Sequence, residues 1–178
     1  MNQSILVCDR QRTRSVNLRL LRRSVGILLR DLLGLEHFCL GIHLVETSEI
    51  VRLNEGFLRH KGSTDVISFD YAERQRRSSK PTHSPASIEG EIFICLEEAV
   101  SQARKFHVSC QKELARYVIH GVLHLCGYDD LSVGQRRRMK LEEDRLLQEL
   151  ARKIPLAELA KAALKNQKAR RRTQYSVS

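Results

Sequence analysis

The sequence has no continuous apolar run of 18 residues, the length from which a membrane-spanning helix is expected. It also has no signal-peptide pattern, in which a basic stretch precedes an apolar core and a small-residue cleavage site. These two absences predict a soluble protein that is not secreted and has no membrane partner.

The cysteines lack the arrangement of a disulfide framework. They are odd in number, widely spaced and without a C-x-x-C pair: Cys8, Cys39, Cys95, Cys110 and Cys126. Most of them lie in apolar segments, where a thiol behaves as a small hydrophobic side chain. The pattern therefore favours a reducing compartment and predicts a cytoplasmic protein.

Acidic residues are in the minority. The 31 Lys and Arg residues outnumber the 21 Asp and Glu residues, which gives a net charge of +10 and a pI near 9.7. The basic residues concentrate in two clusters, over residues 10–23 and 161–172. A basic surface favours an anionic partner such as nucleic acid. Each cluster taken alone is equally well explained as ordinary solvated surface.

At 178 residues the chain is long enough for one domain with a sizeable core. Its apolar periodicity predicts four strands, over residues 5–8, 38–45, 66–69 and 91–95. It also predicts helices over residues 17–33, 48–58, 96–106, 109–126, 132–151 and 156–169.

Local signals refine this organisation. Thr47 or Ser48 is the expected N-cap of the second helix, Ser109 caps the fourth, and Ser132 with Gln135 forms a capping box. Residues 71–87 are polar and basic and contain two of the three prolines, which predicts an exposed loop. The expected fold is α+β, with a small mixed sheet of about four strands packed with five or six helices.

Two histidines carry the clearest chemical signal. His120 and His124 lie four residues apart in an apolar stretch, so a helix places both on one face, where they can bind the same Zn²⁺ ion. Gly127 then ends the helix, and the returning chain can deliver Asp130 as a third ligand. Three protein ligands with a fourth position open to water are typical of a catalytic zinc site. We therefore expect a metal site on a central helix and a hydrolytic enzyme.

Alternative roles for these residues stay open. A histidine on an apolar helix is more often a hydrogen-bonded core residue than a ligand. Asp129 competes with Asp130 for the third position. Cys126 is also nearby, but it lies two residues after His124 and so on a different side of the helix, which favours a core role.

Three segments resemble the YbeY family of zinc-binding endoribonucleases in bacterial rRNA maturation. Residues 120–130 match ten of the eleven places in its pattern H-G-x-L-H-L-x-G-Y-D-H. Asn54 and Arg59, followed by T-D-V-I-S-F at 64–69, resemble a second family segment, and G-E-I at 90–92 resembles its G-D-I. The resemblance covers roughly residues 5–150.

The resemblance implies an activity and a site. The activity is that of a single-strand-specific, metal-dependent endoribonuclease in rRNA maturation, including small-subunit rRNA 3′-end processing, and in ribosome quality control. The implied cofactor is one Zn²⁺ per chain on His120, His124 and Asp130, and the implied partners are RNA and the small ribosomal subunit. The implied catalytic residues are Arg59, His120 and His124. The role of Arg59 would be to bind a phosphate, because a guanidinium can hold a phosphate bidentately. Without the resemblance, Arg59 would be taken as a surface arginine at a helix end.

Two positions depart from the family pattern. Asp130 stands where the family usually has a third histidine; a carboxylate can still bind zinc, but it adds a negative charge that should make a bound water less acidic. Ser63 replaces a frequent proline before Thr64, which affects only the expected stiffness of the loop after Arg59.

Two alternative functions remain at this point. The spacing H-x-x-x-H-x-x-G-x-x-D is also that of metzincin-like zinc peptidases, but these need a glutamate directly after the first histidine, where this chain has Gly121. The second alternative is a non-catalytic, ribosome-associated zinc protein, which the basic C-terminus favours. The attacking nucleophile, water or the ribose 2′-hydroxyl, and the oligomeric state are not predicted.

The predicted domain organisation has two parts. Residues 1–152 form the YbeY-like ribonuclease domain, and residues 153–178 form a basic helical C-terminal tail that begins near Pro155.

Overall fold

A computed structural model of the chain describes residues 3–58, 62–71 and 87–161. It contains four strands: β1 (Gln3–Asp9), β2 (His37–Val45), β3 (Val66–Asp70) and β4 (Ser87–Cys95). The helices are α1 (Leu18–Ile27), α2 (Thr47–Leu53), α3 (Leu96–Lys105), α4 (Cys110–Leu125) and α5 (Val133–Lys153). Short π-helical turns extend α1 and α2 over Leu28–Leu32 and Asn54–Leu58, and a 3₁₀ turn follows α5 at Leu156–Glu158.

The strands form one mixed sheet in the order β1-β2-β4-β3. β1, β2 and β4 are parallel, whereas β3 pairs antiparallel with β4 at one edge. Parallel neighbours need a crossover between them, and α1 supplies it between β1 and β2. The predicted α+β fold with a small mixed sheet is confirmed.

Side-chain caps define where the helices begin. Ser109 Oγ accepts a hydrogen bond from Lys112 N at the start of α4, and Ser132 and Gln135 form the predicted capping box of α5. The predicted N-cap of α2, Thr47 or Ser48, is wrong. The N-cap residue is Glu46, and its side chain makes no capping hydrogen bond. Thr47 is already helical, and its hydroxyl donates instead to Glu97 at the start of α3.

Both faces of the sheet are covered, but the apolar cluster on one face is larger than the cluster on the other. Alternate residues of β2, namely Leu40, Ile42 and Leu44, belong to the main core together with apolar side chains of α1, α3, α4 and α5. On the opposite face, Ile50 of α2 covers a smaller cluster with Val45 and Phe93. Helix α4, which carries the two histidines, lies in the centre of the main core, so packing on several sides holds it in position.

Two glycines let α4 lie close to the sheet. A Cβ atom on Gly121 would meet Ile92 Cγ2 of β4 at 2.7 Å. A Cβ atom on Gly90 of β4 would collide with the backbone oxygen of Phe69 and lie 2.9 Å from a methyl carbon of Leu125. Side chains at either position would push the helix and the sheet apart, so the position of α4 depends on both glycines.

The chain continues to pack against the domain after α5. Ile154 and Leu159 are buried, and Leu159 O accepts a hydrogen bond from Asn17 N at 2.8 Å. The predicted helix over residues 156–169 is wrong in its described part, because only Leu156–Glu158 form a 3₁₀ turn and Ala160 pairs with Val16 in an antiparallel bridge. Residues 162–169 lie outside the described residues. The domain boundary at residue 152 stays a prediction. Most of the predicted loop over residues 71–87 also lies outside the described residues.

No helix within residues 3–58, 62–71 and 87–161 is both long enough and apolar enough to span a membrane.

The close approach of α4 predicts opposite effects of alanine at two glycines. Gly121→Ala should lower the free energy of unfolding by about 1–2 kcal/mol, because overpacking against Ile92 outweighs the gain in helix propensity. Gly134→Ala in the exposed first turn of α5 is the matched control, since nothing lies within 4 Å of its Cβ position. The control should raise stability by up to about 1 kcal/mol. Urea denaturation measures both, and equal effects would contradict the packing argument.

Candidate metal centre

Helix α4 brings the two histidines together. His120 and His124 lie one turn apart on the same face, with their ring centroids 4.6 Å apart. Their Nε2 atoms face each other at 3.0 Å. Two nitrogens that bind one tetrahedral zinc ion lie about 3.3 Å apart, so a small shift of either ring would suit a shared ion.

The turn after α4 adds Asp130 to this pair. Gly127 has a φ of +88°, the left-handed conformation that glycine adopts without strain, and Tyr128 N donates back to Leu123 O at 3.0 Å. Asp130 then lies so that one carboxylate oxygen and one nitrogen of each histidine are all within 4.8 Å of one another. The predicted group of His120, His124 and Asp130 is therefore assembled by the fold.

Asp129 takes a different position. Its Oδ1 accepts a hydrogen bond from Asp130 N at 2.7 Å, so it stabilises the turn. Arg136 of α5 holds the same turn from outside, with Nη1 donating to Asp130 O at 3.0 Å and to Leu131 O at 3.2 Å. These contacts favour Asp130 over Asp129 as the third ligand.

The second nitrogen of each ring is already engaged. His120 Nδ1 lies 2.6 Å from Glu143 Oε1, and His124 Nδ1 lies 3.1 Å from Tyr128 O. A carboxylate and a backbone carbonyl both accept, so each Nδ1 carries the proton. The two Nε2 atoms are thereby left as the metal-facing atoms. Metal-bound histidines typically donate their other ring N–H to a carboxylate or carbonyl in this way.

Glu143 is the functional residue that the sequence predictions missed. It lies on α5, is almost fully buried, and has Arg116 Nη1 at 3.6 Å and Lys140 Nζ at 3.8 Å from its second oxygen. These cations offset part of the cost of burying the carboxylate. The available signal was its position on the apolar stripe of α5, one turn after Met139 and three residues before Leu146.

The two histidines differ in acidity. Burial lowers the pKa of His120, but the hydrogen bond to Glu143 and its negative charge outweigh burial and raise it above the ordinary value. Burial and the neighbouring charge of His120 lower the pKa of His124. A protonated His120 can thus donate from Nε2 to a neutral His124. A metal ion bound by both Nε2 atoms displaces that proton, so metal affinity falls as the pH drops below the raised pKa of His120.

The donor set fits a metal ion such as zinc. Imidazole nitrogens and a carboxylate oxygen are zinc ligands, and the group is only partly buried, which leaves it open to a further ligand. Cys126 is not in the group; it packs partly buried against the main core, as the sequence predicts.

Arg59 lies outside the described residues. The described segments on either side of it in the sequence are joined by a hydrogen bond, in which Asn54 Nδ2 donates to Gly62 O at 2.9 Å. Ser68 Oγ of β3 donates to Gly121 O of α4 at 3.3 Å. Strand β3, which follows Arg59 in the sequence, therefore contacts the helix that carries His120.

Fold and site together define an α+β domain with a candidate metal-binding group formed by two histidines of its central helix and one aspartate of the turn that follows it. The family model described as "Endoribonuclease YbeY" matches residues 5–151. The chain belongs to the endoribonuclease YbeY family, as the sequence motifs predict.

Curated relatives agree with this assignment. Proteins named "Endoribonuclease YbeY" from Chlorobium luteolum and Salinibacter ruber are 43% identical over 101 residues and 38% identical over 108 residues. These alignments cover 57% and 61% of this chain and 66% and 68% of the relatives. A third relative with the same name, from Parabacteroides distasonis, is 37% identical over 99 residues, 56% of this chain and 62% of its own length. The matched region thus spans about two thirds of the curated relatives.

The fold also resembles a solved structure. The solution structure of a Thermotoga maritima protein aligns with a TM-score of 0.55 and 25% sequence identity. The alignment covers 83% of this chain and 89% of that chain.

The contact between Glu143 and His120 predicts a specific loss. Glu143→Gln should weaken zinc binding by about 10- to 100-fold, because the amide is neutral and orients the imidazole less strongly. Glu142→Gln is the matched control: Glu142 is the preceding residue on α5 and pairs with Arg145 instead. Competition with a chelating dye measures both affinities. Equal affinities in the two variants would rule out this role of Glu143.

Proposed function

We propose that this protein is a metal-dependent, single-strand-specific endoribonuclease of rRNA maturation. Its action would include 3′-end processing of small-subunit rRNA and ribosome quality control, in the cytoplasm, with one Zn²⁺ per chain. The observation that carries the proposal is the convergence of His120 Nε2, His124 Nε2 and the Asp130 carboxylate in a member of an endoribonuclease family.

The residues of the chain have separate roles in this proposal. His120, His124 and Asp130 would hold the zinc ion, which when bound supplies Lewis-acid polarisation of a phosphoryl oxygen or of water. Glu143 and Tyr128 O keep the two imidazoles in the ligating tautomer. Arg136 keeps the turn of Asp130 in position. Arg59 would bind and neutralise the scissile phosphate.

Charge supports RNA as the substrate. The chain carries a net charge of +10, and a basic surface binds the phosphate backbone without regard to sequence. The basic cluster over residues 161–172 would extend this surface toward rRNA in the small ribosomal subunit.

Geometry disfavours the peptidase alternative. A metzincin-like peptidase needs a glutamate directly after the first histidine. Here that position is Gly121, whose Cβ direction meets Ile92 and Ser68 of the sheet, so a longer side chain has no room. Position 121 therefore has neither the general base of that mechanism nor the space for one.

His124→Ala should remove both the metal and the activity. We expect about one zinc per chain and RNA cleavage for the wild type, and loss of most of both in the variant, since one of the two imidazole ligands is gone. Elemental analysis and cleavage of a single-stranded rRNA fragment measure the two effects. Product ends decide the nucleophile: a 2′,3′-cyclic phosphate indicates the 2′-hydroxyl, and a 5′-phosphate indicates water.

The same experiment separates the alternatives. Unchanged metal content in His124→Ala would contradict the site. A zinc-loaded wild type that binds rRNA without cleaving it would support the non-catalytic alternative, and zinc-dependent hydrolysis of peptides would support the peptidase.

Arg59→Lys tests the phosphate role. Cleavage should fall about tenfold or more, because lysine keeps the charge but loses a charge-assisted hydrogen bond of the bidentate pair, worth about 1.5 kcal/mol or more. Zinc content should stay at the wild-type value. Arg52→Lys, at an exposed arginine of α2, is the control and should cleave normally. Wild-type cleavage by Arg59→Lys would remove Arg59 from the mechanism.

A further inference from the structure

We propose that a cavity beside the metal-binding turn binds one nucleotide of the RNA, with its base stacked on Tyr128 and its phosphate held by Arg138. This inference rests on the proposed function, because it assigns a subsite for the substrate of the same metal centre.

The cavity has a volume of about 420 Å³ and is lined by Cys126, Gly127, Tyr128, Asp129, Gln135 and Arg138. Pockets for small ligands begin at about 300 Å³, so the space suits a single nucleotide. Its lining combines an aromatic ring, a guanidinium, an amide and a carboxylate. These are the groups that recognise a base, its polar edge and a phosphate.

Tyr128 connects the cavity to the metal centre. Its backbone oxygen accepts the hydrogen bond from His124 Nδ1, while its side chain remains 38% exposed. The backbone of Tyr128 is thus fixed by a metal-binding histidine, and its ring lines a space that a base can enter. Aromatic side chains with this exposure stack on bases of single-stranded RNA with little sequence preference.

The first turns of α5 supply the polar groups. Arg138 is exposed and lines the cavity, whereas its neighbour Arg137 is exposed but does not line it. Gln135 accepts from Ser132 N through Oε1, so its amide NH₂ group is the part suited to donate to a base. An arginine beside an aromatic ring is suited to a nucleotide, because it can pair with the phosphate of the stacked base.

The cavity and the metal group share one turn of chain. Asp129 lines the cavity, and the next residue, Asp130, belongs to the metal group. A nucleotide in the cavity would therefore lie next to the phosphate at the metal. The cavity would position single-stranded RNA for cleavage, since both faces of a base within a duplex are already covered by its stacked neighbours.

The test compares two probes on the zinc-loaded full chain: adenosine 5′-monophosphate and ribose 5-phosphate, which has the same phosphate but no base. In calorimetric titrations the nucleotide should bind about 5- to 150-fold more tightly than the sugar phosphate, which is the usual gain from stacking on an aromatic residue. Tyr128→Ala should abolish this difference, and Tyr128→Phe should keep it.

Two arginines provide a charge-matched comparison. Arg138→Gln should weaken both probes about fivefold or more, whereas Arg137→Gln, which removes the same charge one residue away, should change both less than twofold. Phe106→Ala, at an exposed aromatic residue at the end of α3, is the control for losing a ring. Zinc content is measured for every variant, and if Tyr128→Ala loses zinc, the arginine pair and the wild-type probes decide the question.

Equal affinities of the two probes for the wild type, or equal effects of the two arginine variants, would overturn the proposal. RNA cleavage is measured separately on the same preparations. Cleavage with equal probe affinities overturns the cavity alone. Base-dependent binding without cleavage supports the cavity and contradicts the endoribonuclease activity.

Discussion

The hydrogen bond between His120 Nδ1 and Glu143 is the interaction on which the proposed site depends. It joins the helix that carries both histidines to α5, and at 2.6 Å it is a short, charge-assisted contact in a buried environment. Arg116 and Lys140 lie 3.6 and 3.8 Å from the second oxygen of Glu143 and offset part of the cost of burying this carboxylate. Glu143 orients the His120 ring so that its Nε2 atom faces Nε2 of His124. One buried ion pair network thus serves both helix packing and metal binding.

On the side of α4 that faces the sheet, two glycines determine how closely the helix packs. Gly121 and Gly90 allow the helix to approach β4, and Ser68 Oγ joins β3 to Gly121 O. The helix is therefore held between the sheet and α5, while the turn at its C-terminus presents Asp130. Among the described residues, the candidate ligands thus lie on one packed helix and on the turn that follows it. The close approach of the helix to β4 also explains why the position after His120 cannot carry the glutamate of a peptidase.

Much of the site could be predicted from local sequence, because its signals are local. The four-residue step from His120 to His124 and the positive φ of Gly127 follow from helix geometry, and the capping box at Ser132 follows from side-chain spacing. Family membership followed from the same motifs. The burial of Glu143 could be predicted from the apolar stripe of α5, but its role could not, since His120 lies 23 residues earlier and only the packing of α4 on α5 brings them together. The predicted N-cap of α2 was wrong for a similar reason, because the hydroxyl of Thr47 donates to Glu97, which lies 50 positions later. The role of Arg59 stays a prediction.

The central claim is that two imidazole Nε2 atoms and the Asp130 carboxylate bind one metal ion. X-ray absorption spectroscopy at the zinc edge of the loaded full chain tests it most directly, since it identifies the coordinating atoms. We expect a shell of nitrogen and oxygen ligands with the multiple-scattering signature of two imidazoles and no sulfur. A sulfur ligand, which only a cysteine such as Cys126 could readily supply, or a shell without two imidazoles would contradict it.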